Sequence, residues 1–158
     1  MVKSVCAVAD GSRVVRMASK KEYRILVVDD IADNSFLLTT FLESEGYTVD
    51  VATSGKTAFQ KMQSHPPDLV MLDVMMPDMN GYELTRKIRH DSQLRSIPVV
   101  LVTAHIQSCR IKGIAVGATD FIYKPIDLSE LGSRLERILQ HQNARSAYEF
   151  FSPPTSSA

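Results

Sequence analysis

The stretch LVMLDVMMPDMNG, Leu69 to Gly81, decides how the rest of the chain is read. Four apolar residues lead into an aspartate, and a loop rich in Pro, Asp, Asn and Gly follows. A short apolar run closed by turn-forming residues is the pattern of a strand buried on both faces. Runs of the same kind lie on either side, at Tyr23–Val28, Tyr47–Val51, Ile97–Val102 and Asp120–Tyr123. With Leu69–Leu72 they make five candidate strands.

Between the runs the apolar spacing becomes helical. Phe36, Leu37, Phe41 and Leu42 suggest one stripe, Ala58 and Met62 a second, and Leu84 and Ile88 a third. Residues 105–117 form a weaker fourth helix that contains Gly113 and Gly117. The fifth is the clearest: Leu128, Leu131, Leu135, Ile138 and Leu139 follow Asp127 and Glu130, which are spaced as a capping box. Five strands alternating with five helices predict a doubly wound α/β fold, a five-stranded parallel sheet with helices on both faces.

Composition agrees with a folded body. The chain has 158 residues, 44% hydrophobic and 23% charged, enough for one domain. No apolar run approaches the length of a membrane helix, and the stretch Val5–Ala9 is too short for a secretory signal. Cys6 and Cys109 form no metal or disulfide pattern, which suits a reducing cytoplasm. The 18 basic and 18 acidic residues cancel, so no bulk attraction to nucleic acid is implied. They are unevenly placed. Residues 1–21 sum to +4, residues 22–141 to −4 and residues 142–158 to zero. The expected organisation is a disordered basic extension over 1–21, a domain over 22–141 and a disordered tail over 142–158. Met17 is a second candidate start, and the short tail sets the expectation of a stand-alone domain without an attached output domain.

Ligands of open α/β sheets bind beyond the carboxyl ends of the strands. The residues expected there are Asp29 and Asp30 after the first strand, Asp73 after the third, Thr103 after the fourth and Lys124 after the fifth. Singly, each has an ordinary structural explanation: a turn aspartate, a helix cap, a solvated lysine. Together they do not. Two carboxylates roughly 4 Å apart repel by about 4 kcal/mol at an effective dielectric near 20. A third makes matters worse unless cations are present. Lys124 supplies one charge, and a hard divalent cation with oxygen ligands fits the remainder, Mg²⁺ being the usual case. The histidines at 65, 90 and 141 have no ligand spacing, and Met71, Met75, Met76 and Met79 read as packing rather than a cofactor site.

At this point the middle of the chain resembles the receiver domain of two-component response regulators. The motifs are ILVVDD (Ile25–Asp30), Leu69–Gly81 itself, VTA (Val102–Ala104) and GATDFIYKP (Gly117–Pro125). The resemblance implies the flavodoxin-like strand order 2-1-3-4-5. It also implies that Asp73 accepts a phosphoryl group from a sensor histidine kinase or a histidine phosphotransfer protein. Asp30, Asp73 and the Met75 carbonyl would ligate Mg²⁺ (or Mn²⁺), with Asp29 acting through water. Thr103 and Lys124 would contact the phosphoryl group, and Thr103 with Phe121 would form the switch. Met75 and His105 would tune phosphoryl lifetime, and the Lys124–Pro125 peptide would be cis. Output would pass to a downstream protein through the surface of the fourth helix, fifth strand and fifth helix, in a monomer or in a dimer made through that surface. No enzymatic turnover beyond self-directed phosphotransfer and dephosphorylation, no membrane contact and no direct nucleic-acid contact are implied.

Other classes fit less well. A phosphate-independent docking module would be expected to lack one of the acidic residues or the lysine. A haloacid-dehalogenase-type phosphatase would need a second aspartate where Met75 stands. A nucleotide-binding fold would need a glycine-rich phosphate loop, which is missing.

Overall fold

The computed structural model describes residues 22–151, without the side chains of residues 106–109 and 148–151. The basic extension, Cys6, Met17, the Cys109 side chain and the last seven residues lie outside what is described. Ten elements alternate: β1 (Arg24–Val28), α1 (Ala32–Ser44), β2 (Thr48–Ala52), α2 (Gly55–Ser64), β3 (Leu69–Asp73), α3 (Gly81–His90), β4 (Val99–Thr103), α4 (Ile106–Val116), β5 (Asp120–Tyr123) and α5 (Leu128–Phe151). The strands form one parallel sheet in the order β2-β1-β3-β4-β5. Both the strand count and the order match the expectation.

Side chains alternate across a strand with period two, so each strand feeds two cores. Leu26, Val28, Val70, Leu72, Val99, Leu101 and Phe121 pack with Ala58 and Met62 of α2 and Leu84 and Ile88 of α3. Ile25, Val27, Leu69, Met71, Val100, Val102 and Ile122 face Leu38 and Leu42 of α1 and Leu131, Leu135 and Leu139 of α5. β3 and β4 are buried along their whole length, whereas the edge strand β2 is mostly half-buried. This is why β3 and β4 read as continuous apolar runs.

Side-chain caps start three of the helices, and the one at Asp127 matches the expectation. Ser54 accepts the Thr57 N–H at the start of α2, Asn80 and Glu83 form a reciprocal capping box on α3, and Asp127 accepts the Glu130 N–H on α5. Two expectations need correction. In α1 the buried face is Ser35, Leu38 and Leu42, while Phe36 is 74% exposed and Leu37 55% exposed. The i, i+4 pair Leu38–Leu42 sets the inward stripe, and Phe36 and Leu37 fall off it by helical geometry. The tail does not begin at 142, because α5 runs on to Phe151. Residues 140–149 contain neither Gly nor Pro to stop the helix. That continuation is also held to the body: Gln142 Nε2 donates to the Ser96 carbonyl (3.3 Å), and Asn143 donates to the Tyr23 hydroxyl.

Candidate functional site

Because all five strands run the same way, their carboxyl ends share one rim. β1 delivers Asp29 and Asp30, and its neighbour β3 delivers Asp73. One carboxylate oxygen from each lies within 4.8 Å of the others. Asp29 and Asp73 are buried, at 3% and 4% exposure, while Asp30 is exposed. Each buried carboxylate is oriented by its own chain. Asp29 Oδ1 accepts the Ile31 N–H (2.9 Å), and Asp73 Oδ1 accepts the Met75 N–H (3.1 Å). Asp73 Oδ2 faces across the rim to Lys124 Nζ, which donates at 3.4 Å.

Burial pushes the Asp73 carboxyl above its ordinary range; the Met75 N–H and Lys124 pull it down, and the Asp29 charge raises it again. Desolvation and a like charge act in the same direction here, and one lysine does not offset them. A cation among the carboxylates would. Three oxygen donors at this spacing, all hard ligands, fit Mg²⁺.

β4 and β5 complete the rim. Thr103 is buried and its hydroxyl accepts the His105 N–H (3.1 Å). The Lys124 N–H donates to the Thr103 carbonyl (2.9 Å), tying the lysine's backbone to the threonine's strand, and the Lys124–Pro125 peptide is cis. Register pairs Leu101 with Phe121 and Thr103 with Tyr123, so all four share one face of the sheet. The Phe121 ring lies inside, 8% exposed. Met75 and His105 are both exposed beside the rim. Every predicted site residue is thus on or next to this rim, except Phe121, which sits beneath it in the core.

The loop after β3 is held close by Gly81. A Cβ there would lie 2.7 Å from the Asp73 carbonyl oxygen and 2.9 Å from Val74 Cα, so the backbone of α3 passes against that of the phosphoacceptor candidate. Three features escape the sequence reading. Ile31, Phe36, Leu37 and Met75 are large apolar side chains left exposed on α1 and the loops after β1 and β3; Met75, at 65% exposure, corrects the expectation that it packs. Arg89, at the end of α3, donates to the Gly117 carbonyl (2.8 Å) and to those of Ile97 (2.7 Å) and Arg95 (3.0 Å), clamping the end of α4 to the approach to β4. Gly113 of α4 lies under the Phe121 ring. None of the three had a deciding sequence signal; in α1 the Leu38–Leu42 stripe competes with that of Phe36 and Leu37, and the sequence does not choose between them.

A doubly wound sheet whose β1 and β3 ends gather three aspartates opposite a β5 lysine is the architecture of a receiver domain. The family model described as "Response regulator receiver domain" matches residues 25–136, and the chain belongs to that family. The response regulator PleD of Caulobacter vibrioides is 46% identical over 116 residues, covering 73% of this chain and 26% of the relative. The response regulator ArlR of Staphylococcus aureus is 38% identical over 120 residues, covering 75% and 53%. The chain therefore spans between a quarter and about half the length of these curated relatives. Among solved structures, chemotaxis protein CheY4 of Vibrio cholerae aligns with a TM-score of 0.71 at 31% identity, covering 74% of this chain and 98% of that one. The receiver domain of sensor histidine kinase PA1611 from Pseudomonas aeruginosa aligns with a TM-score of 0.71 at 29% identity, covering 75% and 98%. No helix among the described residues is long and apolar enough to cross a membrane.

Proposed function

We propose that Asp73 accepts a phosphoryl group from a phosphohistidine on a sensor kinase or phosphotransfer protein, in a Mg²⁺-dependent reaction, and that the acyl phosphate shifts the α4-β5-α5 surface toward a partner. The observation that carries this reading is the Asp73 carboxylate. One oxygen is anchored by a backbone N–H, the other faces Lys124, and two further carboxylates stand within 4.8 Å.

Asp30, Asp73 and the Met75 carbonyl would hold the metal, and Asp29 would act through water. When bound, Mg²⁺ supplies positive charge to the oxygens of the transferring phosphoryl group. The PA1611 receiver structure is described as holding a magnesium ion in its active-site cleft, which supports the assignment. An Asp73 carboxylate oxygen attacks phosphorus, the bond to the donor imidazole breaks, and the imidazole leaves with the electron pair. Positioning and charge neutralisation carry most of such a transfer. Lys124 serves both, first as the partner of the carboxylate and then of the phosphoryl oxygens. The Thr103 hydroxyl donates to the new phosphoryl group, and its movement is felt by Phe121 on the same face of the sheet. Met75 and His105 flank the group and control the approach of water.

Ile31 and Met75, whose N–H groups hold the carboxylates, and Phe36 and Leu37 of α1 are exposed apolar side chains and support docking of the donor on this side. Ile111 and Ile114, exposed on α4, support the output face. That face serves a monomer or a dimer paired through it. The full set of three aspartates, threonine and lysine favours this reading over a phosphate-independent docking module. A neutral chain favours a protein partner over nucleic acid, and a cytoplasmic setting fits a kinase donor. The direct test is labelling with acetyl phosphate and Mg²⁺. Asp73→Asn abolishes acid-labile phosphate incorporation; undiminished labelling of that variant removes Asp73 from its role.

A further inference from the structure

Gly113 lies well inside α4, where glycine is the poorest helix former after proline. It is buried, and the Phe121 ring rests on its backbone. A Cβ at position 113 would stand 2.3 Å from Phe121 Cε1, 2.5 Å from Cζ and 3.1 Å from Leu101 Cδ1. The first two distances are far inside van der Waals contact. A phenyl ring is rigid and has no flexible tip to bend aside. Only two adjustments are open: the ring swings out of the core, or α4 moves away from the sheet. Either one abandons the observed packing.

We propose that Gly113 is the positioning residue of the switch: its missing side chain is the seat into which the Phe121 ring closes, so that ring and α4 move as one unit. The proposal rests on the reading of Thr103 and Phe121 as the relay from Asp73. Leu101 is the floor of the seat, and Thr103 lies two residues further along the same strand and face. A ligand in the phosphoryl pocket that favours the seated ring is therefore coupled to whatever fills position 113. Coupling between two sites is reciprocal, so a side chain that penalises the seat must weaken that ligand. A glycine serving helix geometry alone would carry no such link.

The test uses four proteins: wild type, Gly113→Ala, Phe121→Ala and the double variant. The first readout is the thermal midpoint without metal. Gly113→Ala lowers it by several degrees when Phe121 is present and raises it slightly in the Phe121→Ala background, where helix preference alone remains. The second readout is the affinity for beryllofluoride in saturating Mg²⁺, read from the bound ¹⁹F signal. Gly113→Ala weakens it about tenfold with Phe121 present, a typical coupling between sites, and leaves it unchanged in the Phe121→Ala background.

Equal midpoint shifts in both backgrounds overturn the seat. Wild-type beryllofluoride affinity in Gly113→Ala overturns the coupling. If Gly113→Ala alone fails to fold, recovery of folding by Phe121→Ala supports the seat, and failure in both backgrounds overturns it. A wild-type protein that binds no beryllofluoride instead refutes the reading of Asp73 and takes the coupling with it, while the midpoint cycle still decides the seat.

Discussion

Removing one charge from the carboxylate cluster tests the physics of the site without any phosphodonor. Asp29 and Asp73 are both buried, with carboxylate oxygens no more than 4.8 Å apart. At an effective dielectric near 20, their mutual repulsion is about 3.5 kcal/mol. Lys124, 3.4 Å from Asp73, offsets part of the cluster's charge, but its side chain is 30% exposed and solvent weakens its pull. In Asp29→Asn the amide oxygen can still accept the Ile31 N–H, so the change is chiefly electrostatic. Allowing for relaxation, the variant should be about 2 kcal/mol more stable than wild type without metal. The order reverses in sensitivity to Mg²⁺. Wild type gains about 2.7 kcal/mol at a metal concentration a hundredfold above its dissociation constant, and the variant gains much less. Urea unfolding followed by far-UV circular dichroism, in EDTA and in Mg²⁺, measures both; the chain has no tryptophan to follow by fluorescence. A variant no more stable than wild type in EDTA, or equal stabilisation of both by Mg²⁺, would refute the reasoning.

Three further outcomes follow from other parts of the molecule. Without metal, the raised Asp73 carboxyl makes the native state hold a proton that the unfolded chain releases near its ordinary value of 3.8. Its contribution to stability therefore falls as pH rises from that value through the raised native one, and the difference between wild type and Asp73→Asn across acid pH should show that slope. Leu42→Ala should cost about 3 kcal/mol while Phe36→Ser changes stability by less than about 0.5 kcal/mol; equal costs in urea unfolding would restore the Phe36–Leu37 stripe. Arg89→Lys should cost about 2 kcal/mol, since an ammonium cannot reach carbonyls on both α4 and the approach to β4, and thermal unfolding checks it.

Much of this protein is legible before folding. Strands buried on both faces must be apolar throughout, so Leu69–Asp73 and Val99–Thr103 stand out as runs, and polar residues at their ends are placed on one rim by parallel topology alone. The cap at Asp127 is read from the sequence because capping is local chemistry that needs no tertiary contact; those at Ser54 and Asn80 follow the same local rule but are found in the structure. The α1 stripe is ambiguous in sequence because Phe36, Leu37, Leu38, Phe41 and Leu42 offer two overlapping helical faces, and only the sheet beneath selects Leu38 and Leu42. The α5 boundary is ambiguous in sequence because a polar composition suits both a solvated helix and a loop; Gln142 and Asn143 find Ser96 and Tyr23 only after the chain has closed.

The order of residue types along the chain by itself determined the α/β alternation, the carboxylates at the strand ends and the lysine opposite them, because periodicity and turn chemistry act over a few neighbours. Tertiary structure alone decided which of two α1 faces is buried, that Arg89 reaches Gly117, and that Phe121 rests on Gly113. Those depend on distances between residues far apart in sequence, which no local pattern encodes.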